Sequence, residues 1–255
     1  MLLAVDIGNT ETTLGVFEGD ELRSTWHMAT VIHRTADEHA ILLLNLLRNR
    51  GLGTPDIKEV ALCSVVPPLT SIYEEMFQRH FGLYPLVVAA GIKTGVRICM
   101  DNPKEVGADR IVDAVAAHHL YDGPIIIVDL GTATTFDVVS KEGDYLGGVI
   151  APGIVMGAEA LSARTAVLPR VELVPPKRTI GSNTVAAIQS GLVFGYVGLI
   201  EGVVARIQKE LGEKAKVVAT GGYAELMAQE TKIIGAVNLD LTLIGLRLVY
   251  LMNQA

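Results

Sequence analysis

AVDIGNTETTLGV (residues 4–16) and IVDLGTATTFDVV (residues 127–139) align without a gap: Val5 falls on Val128, Asp6 on Asp129, Gly8 on Gly131, Thr12 on Thr135 and Val16 on Val139. Each copy reads as a buried strand, a short Asp-x-Gly turn carrying Asn or Thr, and a second β-rich run. Chance likeness between two glycine turns is the competing account, because short motifs recur. Each copy opens one of two similar-sized halves of a 255-residue chain, which favours duplication. The expected organisation is two lobes, residues 1–122 and 123–255.

Outward from the first copy, Thr35 and Glu38 have capping-box spacing, Leu43, Leu46 and Leu47 keep helical spacing, and Gly51 can stop the run, so a helix is expected over 35–51. EVALCSVV (59–66) reads as a buried strand ended by Pro67 and Pro68, with a helix over 71–81 and a strand over 85–90. The polar, turn-rich residues 92–107 predict a surface connection, and ADRIVDAVAAHHL (108–120) a helix. From the second copy, strands are expected at 125–130 and 145–150, helices near 157–166 and 183–208, a strand with a glycine turn at 216–222, and a final helix over 241–252. Strands followed by helices, twice over, indicate an α/β class.

Half of the residues are apolar and 19% are charged, enough to bury a large core. The formal charge of −7 argues against broad contact with a nucleic-acid backbone. Cys63 and Cys99 form neither a disulfide framework nor a metal cluster, and four apolar residues between Met1 and Asp6 are too few for a secretory leader, so a cytoplasmic protein is expected. No charge occurs between Arg178 and Glu201, but Thr179, Ser182, Asn183, Thr184, Gln189 and Ser190 leave too short an apolar run to span a bilayer of about 20 helical residues. A buried helix is expected there, with no membrane partner.

A strand that delivers Asp, then Gly, then Asn-Thr sets a carboxylate beside exposed backbone N–H groups and hydroxyls, which suits a metal-bound polyphosphate. Asp6 could hold Mg²⁺ through water, while Gly8 lets the backbone approach phosphate oxygens. An ordinary Asp-Gly turn is the alternative, and the duplicate at Asp129 weighs against it. ATGGYAEL (219–226) is a third glycine turn between strand and helix, where open α/β sheets bind ligands, or a plain connection. In GADRIVDA (107–114), Asp109 either caps a helix or accepts a proton; Arg110 beside it can hold a carboxylate or phosphate. His118 and His119 are about 100° apart around a helix and cannot converge on one metal. Cys63 reads as core.

VDIGNT (5–10), CSVVPP (63–68), DNPKEVGADRIVDA (101–114), VDLGTATTFD (128–137), GGVIAPGI (147–154), ALSARTAVLPRVEL (160–173) and IGSNTVAAIQSGLVFGYVGLIEG (180–202) resemble the type III pantothenate kinases, within the acetate and sugar kinase, heat-shock chaperone and actin superfamily. The resemblance implies two duplicated actin-like (ribonuclease H-like) lobes with a nucleotide cleft between them, and transfer of the ATP γ-phosphoryl group to pantothenate. It implies Asp109 as general base and pantothenate contacts from Gly107, Ala108, Asp109, Arg110 and Thr184. ATP contacts are implied from Asp6, Ile7, Gly8, Asn9, Thr10, Glu11, Thr12, Thr13 and Thr132, with a monovalent cation (K⁺ or NH₄⁺) on Asp129. A homodimer is implied, and Gly191, Gly195 and Gly198 give the uncharged helix a face for close approach by another helix, or for packing within one chain. One departure is Met100, where relatives often have Tyr two residues before the Asn-Pro, which puts one pantothenate contact in doubt. Rival readings are a regulatory protein without turnover, a nucleotide-driven chaperone or filament protein, and a kinase of another small alcohol.

Overall fold

In the computed structural model, which describes residues 1–254, β1 (Leu2–Ile7) is the central strand of a five-stranded sheet. Its run LLAVDI is buried on both faces except at Asp6, as a strand covered on each side requires. It pairs antiparallel with β2 (Glu11–Glu18) and parallel with β4 (Glu59–Ser64); β3 (Glu21–Ala29) and β5 (Leu86–Val87) complete the order β3-β2-β1-β4-β5. The second sheet repeats this plan as β8 (Tyr145–Pro152), β7 (Ala133–Val139), β6 (Ile125–Leu130), β9 (Lys216–Thr220) and β10 (Ala236–Val237). The strand directions match one for one, β6 has the same burial pattern as β1, and irregularities fall between Val16 and Phe17 in one copy and between Val138 and Val139 in the other.

That correspondence corrects the gapless alignment. Asp6 is opposite Thr13 and Asp129 opposite Thr135, because Gly8–Thr10 connects the first hairpin and only Gly131 and Thr132 the second. Past the turn, Thr12 therefore matches Thr134, and both are buried.

Alternation along β1 sends Leu3, Val5 and Ile7 to one face and Leu2, Ala4 and Asp6 to the other. The first face packs against α1 (Ala36–Arg48) and α2 (Pro67–Phe81). The expected capping box is present at α1, where Thr35 Oγ1 accepts from the Glu38 N–H and Glu38 Oε2 accepts from the Thr35 N–H. The second face is covered by α3 (Ala108–Leu120) and α7 (Leu241–Met252), through Val112, Val115, Leu243, Leu246 and Val249. In the second sheet, Ile126, Val128 and Leu130 pack against α4 (Ile154–Ala163), α5 (Thr184–Leu211) and α6 (Ala224–Glu230).

The chain forms two compact units, 1–96 with 102–116 and the described residues from Leu241 onward, and 97–101 with 117–240. The division expected at 122/123 thus assigns α7 to the wrong half, since it packs on β1, β2 and β4. The connection at 92–107 is also more than surface loop. Ile98 bridges Tyr145, the Cys99 N–H donates to the Tyr145 carbonyl at 2.8 Å, and Arg97 grips Asp144, which adds residues 97–101 to the edge of the second sheet.

Helix α5 has 28 residues, enough length and apolar character to cross a bilayer, but Ile188, Leu192, Val193, Val197, Ile200 and Val204 are buried in the second core.

Where α7 crosses α3, a Cβ at Gly245 would lie 2.0 Å from the Val112 carbonyl oxygen. A backbone atom cannot rotate away, so Gly245→Ala must push α3 and α7 apart. We expect a loss of about 1–3 kcal/mol, read as a lower urea midpoint at unchanged slope. An unchanged midpoint would contradict this packing.

Candidate active site

The face of β1 that carries Asp6 is also the face under α3. Asp6 pairs in register with Cys63 of β4, and α3 begins at Ala108, so the strand carboxylate and Asp109 belong to the same layer of the first unit. Cys63 reports their proximity. Its thiol is fully buried and pushed well above the usual thiol range, first by burial and then by the nearby carboxylates of Asp6, Asp109 and Asp113, with a hydrogen bond to Asp6 adding to the effect. A protonated S–H beside Asp6 suits a donor and not a nucleophile.

The turn after β1 is tight: the Gly8 N–H donates to the Glu11 carbonyl at 3.0 Å, and a Cβ at Gly8 would sit 2.9 Å from that oxygen. Asn9, Thr10 and Glu11 are exposed, Thr13 is half-buried, and the side chains of Ile7 and Thr12 are buried. The last two therefore face the core, leaving their backbone as the part that could meet a ligand. Glu11 pairs with His27 at 2.9 Å.

Asp109 lies in the first turn of α3, where a carboxylate meets the positive end of the helix. Its Oδ1 accepts from the Arg110 N–H at 2.8 Å, and a Cβ at Gly107 would lie 2.4 Å from the same oxygen. Gly107 is thus needed for this rotamer. One turn further along, Asp113 is buried and accepts a hydrogen bond from the Thr242 hydroxyl of α7 at 2.7 Å, tying α3 in place.

In the second unit, Asp129 is the penultimate residue of β6, as Asp6 is of β1. Two glycines frame it: a Cβ at Gly131 would lie 3.3 Å from Asp129 Oδ1, and one at Gly221 only 2.4 Å. Gly221 also has φ +86°, so the ATGG turn needs glycine both for backbone and for space. Thr132 is exposed beside it. Gly153, which precedes α4, crowds the turn so closely that a Cβ would meet the Thr132 carbonyl oxygen at 2.1 Å. Thr184 is the first residue of α5 and is exposed; Asn183 caps that helix by accepting from the Ala186 N–H at 2.9 Å.

The residues expected at the site therefore fall in two groups. Asp6–Thr13 and Gly107–Arg110 lie in the first unit, and Asp129, Thr132 and Thr184 in the second. Met100 packs with its sulfur toward Gly147, where a Cβ would lie 3.2 Å away. Sequence reasoning missed Asp113, the thiol donor role of Cys63, and the crowding at Gly153 and Gly221. Cys63, Asp113 and Gly153 lie within CSVVPP, GADRIVDA and GGVIAPGI, and Gly221 within ATGG, but these strings do not show the contacts that the fold creates.

Among the described residues, no group of three or more His, Cys, Asp or Glu side chains is arranged to hold a metal ion. A divalent ion would be held by one carboxylate together with water and phosphate oxygens, which is how Mg²⁺ commonly binds with nucleotides.

A family model described as type III pantothenate kinase matches residues 2–206. The chain belongs to the type III pantothenate kinase family. A protein of that description from Dehalococcoides mccartyi is 57% identical over 254 residues, covering 100% of this chain and 98% of its own, and one from Moorella thermoacetica is 53% identical over 253 residues, covering 99% and 100%. Family members are ATP-dependent kinases, and this phosphoryl transfer needs a divalent metal. Among solved structures, an inorganic polyphosphate/ATP-glucomannokinase from Arthrobacter sp. strain KM covers 100% of the chain and 99% of its own, with a TM-score of 0.53 and 14% identity. A Campylobacter jejuni protein described as a Baf family transcriptional activator gives a TM-score of 0.62 at 19% identity, covering 99% and 98%. These two likenesses concern fold alone.

Proposed function

We propose that this chain transfers the γ-phosphoryl group of ATP to the primary hydroxyl of pantothenate, giving 4′-phosphopantothenate in the first step of coenzyme A synthesis. The observation that carries the reading is the GADR start of α3 on the same sheet face as Asp6. Asp109 takes the hydroxyl proton, and Gly107, Ala108, Arg110 and Thr184 bind pantothenate. Asp6–Thr13 and Thr132 contact ATP. Mg²⁺ fits Asp6 through water, and supplies neutralisation of phosphate charge when bound. The small space left around Asp129 by Gly131 and Gly221 fits a monovalent cation, K⁺ or NH₄⁺.

A homodimer is part of this reading. Gly191, Gly195 and Gly198 lie on the exposed side of α5, with open space where each Cβ would be, so a second helix could approach closely. The protein is expected to act in the cytoplasm, without nucleic acid or membrane. An accessory protein without turnover would have no need of Asp109 and Arg110.

A coupled ADP-release assay over a panel of small alcohols tests the reading. Turnover should require pantothenate and Mg²⁺, and should rise with K⁺ and fall when Na⁺ replaces it. Faster turnover with another alcohol would displace the substrate assignment, and equal rates in K⁺ and Na⁺ at matched ionic strength would remove the cation from Asp129.

A further inference from the structure

Thr30, the residue after β3, touches the turn after β1 in two ways. Its hydroxyl donates to the Gly8 carbonyl at 2.8 Å, and its backbone N–H donates to the Thr10 carbonyl at 2.9 Å. The Thr12 hydroxyl lies 2.9 Å from the Thr30 hydroxyl. Thr30 has one hydroxyl hydrogen and it is committed to Gly8, so the hydrogen between the two threonines is the one from Thr12. Buried Thr12 thereby holds the Thr30 hydroxyl in one orientation.

The Gly8–Asn9 peptide is trans, like every peptide in the chain's described residues. In a trans peptide the C=O and N–H point to opposite edges of the plane. A carbonyl drawn inward to Thr30 therefore turns the Asn9 N–H outward. The Gly8 N–H is already used by Glu11, so the Asn9 amide is the donor whose direction this contact sets.

The duplicated turn gives an independent comparison. Ala29 pairs with Glu11 and Pro152 with Ala133, which makes Thr30 and Gly153 counterparts. At Gly153 the backbone itself closes on the turn, and a Cβ would lie 2.8 Å from the Gly131 carbonyl oxygen, the counterpart of Gly8's. The first turn leaves the width of a side chain there, and a hydroxyl fills it. The counterpart of Thr12 is Thr134, whose buried hydroxyl has no hydrogen-bond partner among the described residues. The relay of hydroxyls belongs to the first turn alone.

We propose that Thr30 is a positioning residue for nucleotide binding, whose hydroxyl latches the Gly8 carbonyl and aims the Asn9 N–H at the phosphates. This rests on the reading of Asp6–Thr13 as the ATP-contacting turn. The latch acts on ATP and not on the alcohol substrate, and it depends on a hydroxyl and not on bulk.

Thr30→Val, Thr30→Ser and Gly8→Ala test it in the full chain, with ATP Kd by calorimetry, both KM values, and the thermal midpoint. Thr30→Val should raise the ATP Kd and KM about tenfold, the loss of one positioned phosphate hydrogen bond, with pantothenate KM within about twofold of wild type. Thr30→Ser should restore ATP affinity. If Thr30→Val does not fold, Thr30→Ala replaces it in the same comparison. Wild-type ATP affinity in Thr30→Val beside weakened binding in Gly8→Ala would overturn the latch and leave the turn's assignment standing. Wild-type affinity in both would remove the assignment and the latch together. Equal weakening by Val and Ser, or a parallel rise in both KM values that tracks a lower midpoint, would show a structural role and overturn the proposal.

Discussion

Asp109→Asn should lower kcat by about 10²- to 10⁴-fold, the usual contribution of a positioned proton acceptor, and leave the ATP Kd within about twofold of wild type. The amide keeps an oxygen for the Arg110 N–H, which the carboxylate now accepts at 2.8 Å, so the start of α3 should survive. What disappears is the ability to take a proton from the alcohol. Single-turnover phosphoryl transfer and calorimetric ATP binding separate the two effects. Turnover at the wild-type rate would sink the assignment of the base, and parallel loss of ATP binding and thermal stability would make Asp109 a helix cap.

The second large effect is expected at Gly221. An alanine there faces a φ of +86° and places its Cβ 2.4 Å from Asp129 Oδ1 and 2.7 Å from the Leu130 carbonyl carbon. The backbone strain costs about 1–2 kcal/mol for an L-residue, and the clash must move either the turn or the Asp129 carboxylate. We expect kcat to fall at least tenfold, K⁺ activation to be blunted and the thermal midpoint to drop. Gly222→Ala is the control within the same turn, because a Cβ there meets nothing within 4 Å and the backbone is not left-handed. Equal behaviour of the two variants would mean that the crowding around Asp129 has no functional weight.

Much of the fold could be read from local pattern. The capping box at Thr35 and Glu38, the apolar run ahead of Asp129 and the final helix over 241–252 each lie within one element, and each has its expected form. The misses have physical causes. α2 starts at Pro67 and not at residue 71, because proline in the first turn of a helix loses no hydrogen bond and the pair reads as a stop only for the strand before it. α4 begins at Ile154, three residues before its expected start, since Gly153 caps it without a side chain and leaves no signal. β5 is only Leu86–Val87, although PLVVAA is apolar throughout, and β3 is half-exposed along its length and has no strong period. At the site, the paired Asp turns and GADR were visible as strings. The nearness of Cys63, Asp113 and Thr242 to them was not, because strand register and helix packing bring together residues far apart in the chain.

The place of α7 has a consequence for how the chain is made. Leu243, Leu246 and Val249 cover Leu2, Ala4, Ala61 and Cys63, yet they are synthesised after every segment of the second unit. A nascent chain therefore carries β1 and β4 with that face of the first sheet covered by α3 alone while residues 117–240 are still emerging. All parts of the second unit precede α7, so it can close its core first. Maturation on the ribosome then runs against sequence order, reversing the usual N-terminal-first course of domain folding, and the surroundings of Asp109 are completed by Leu241–Met252.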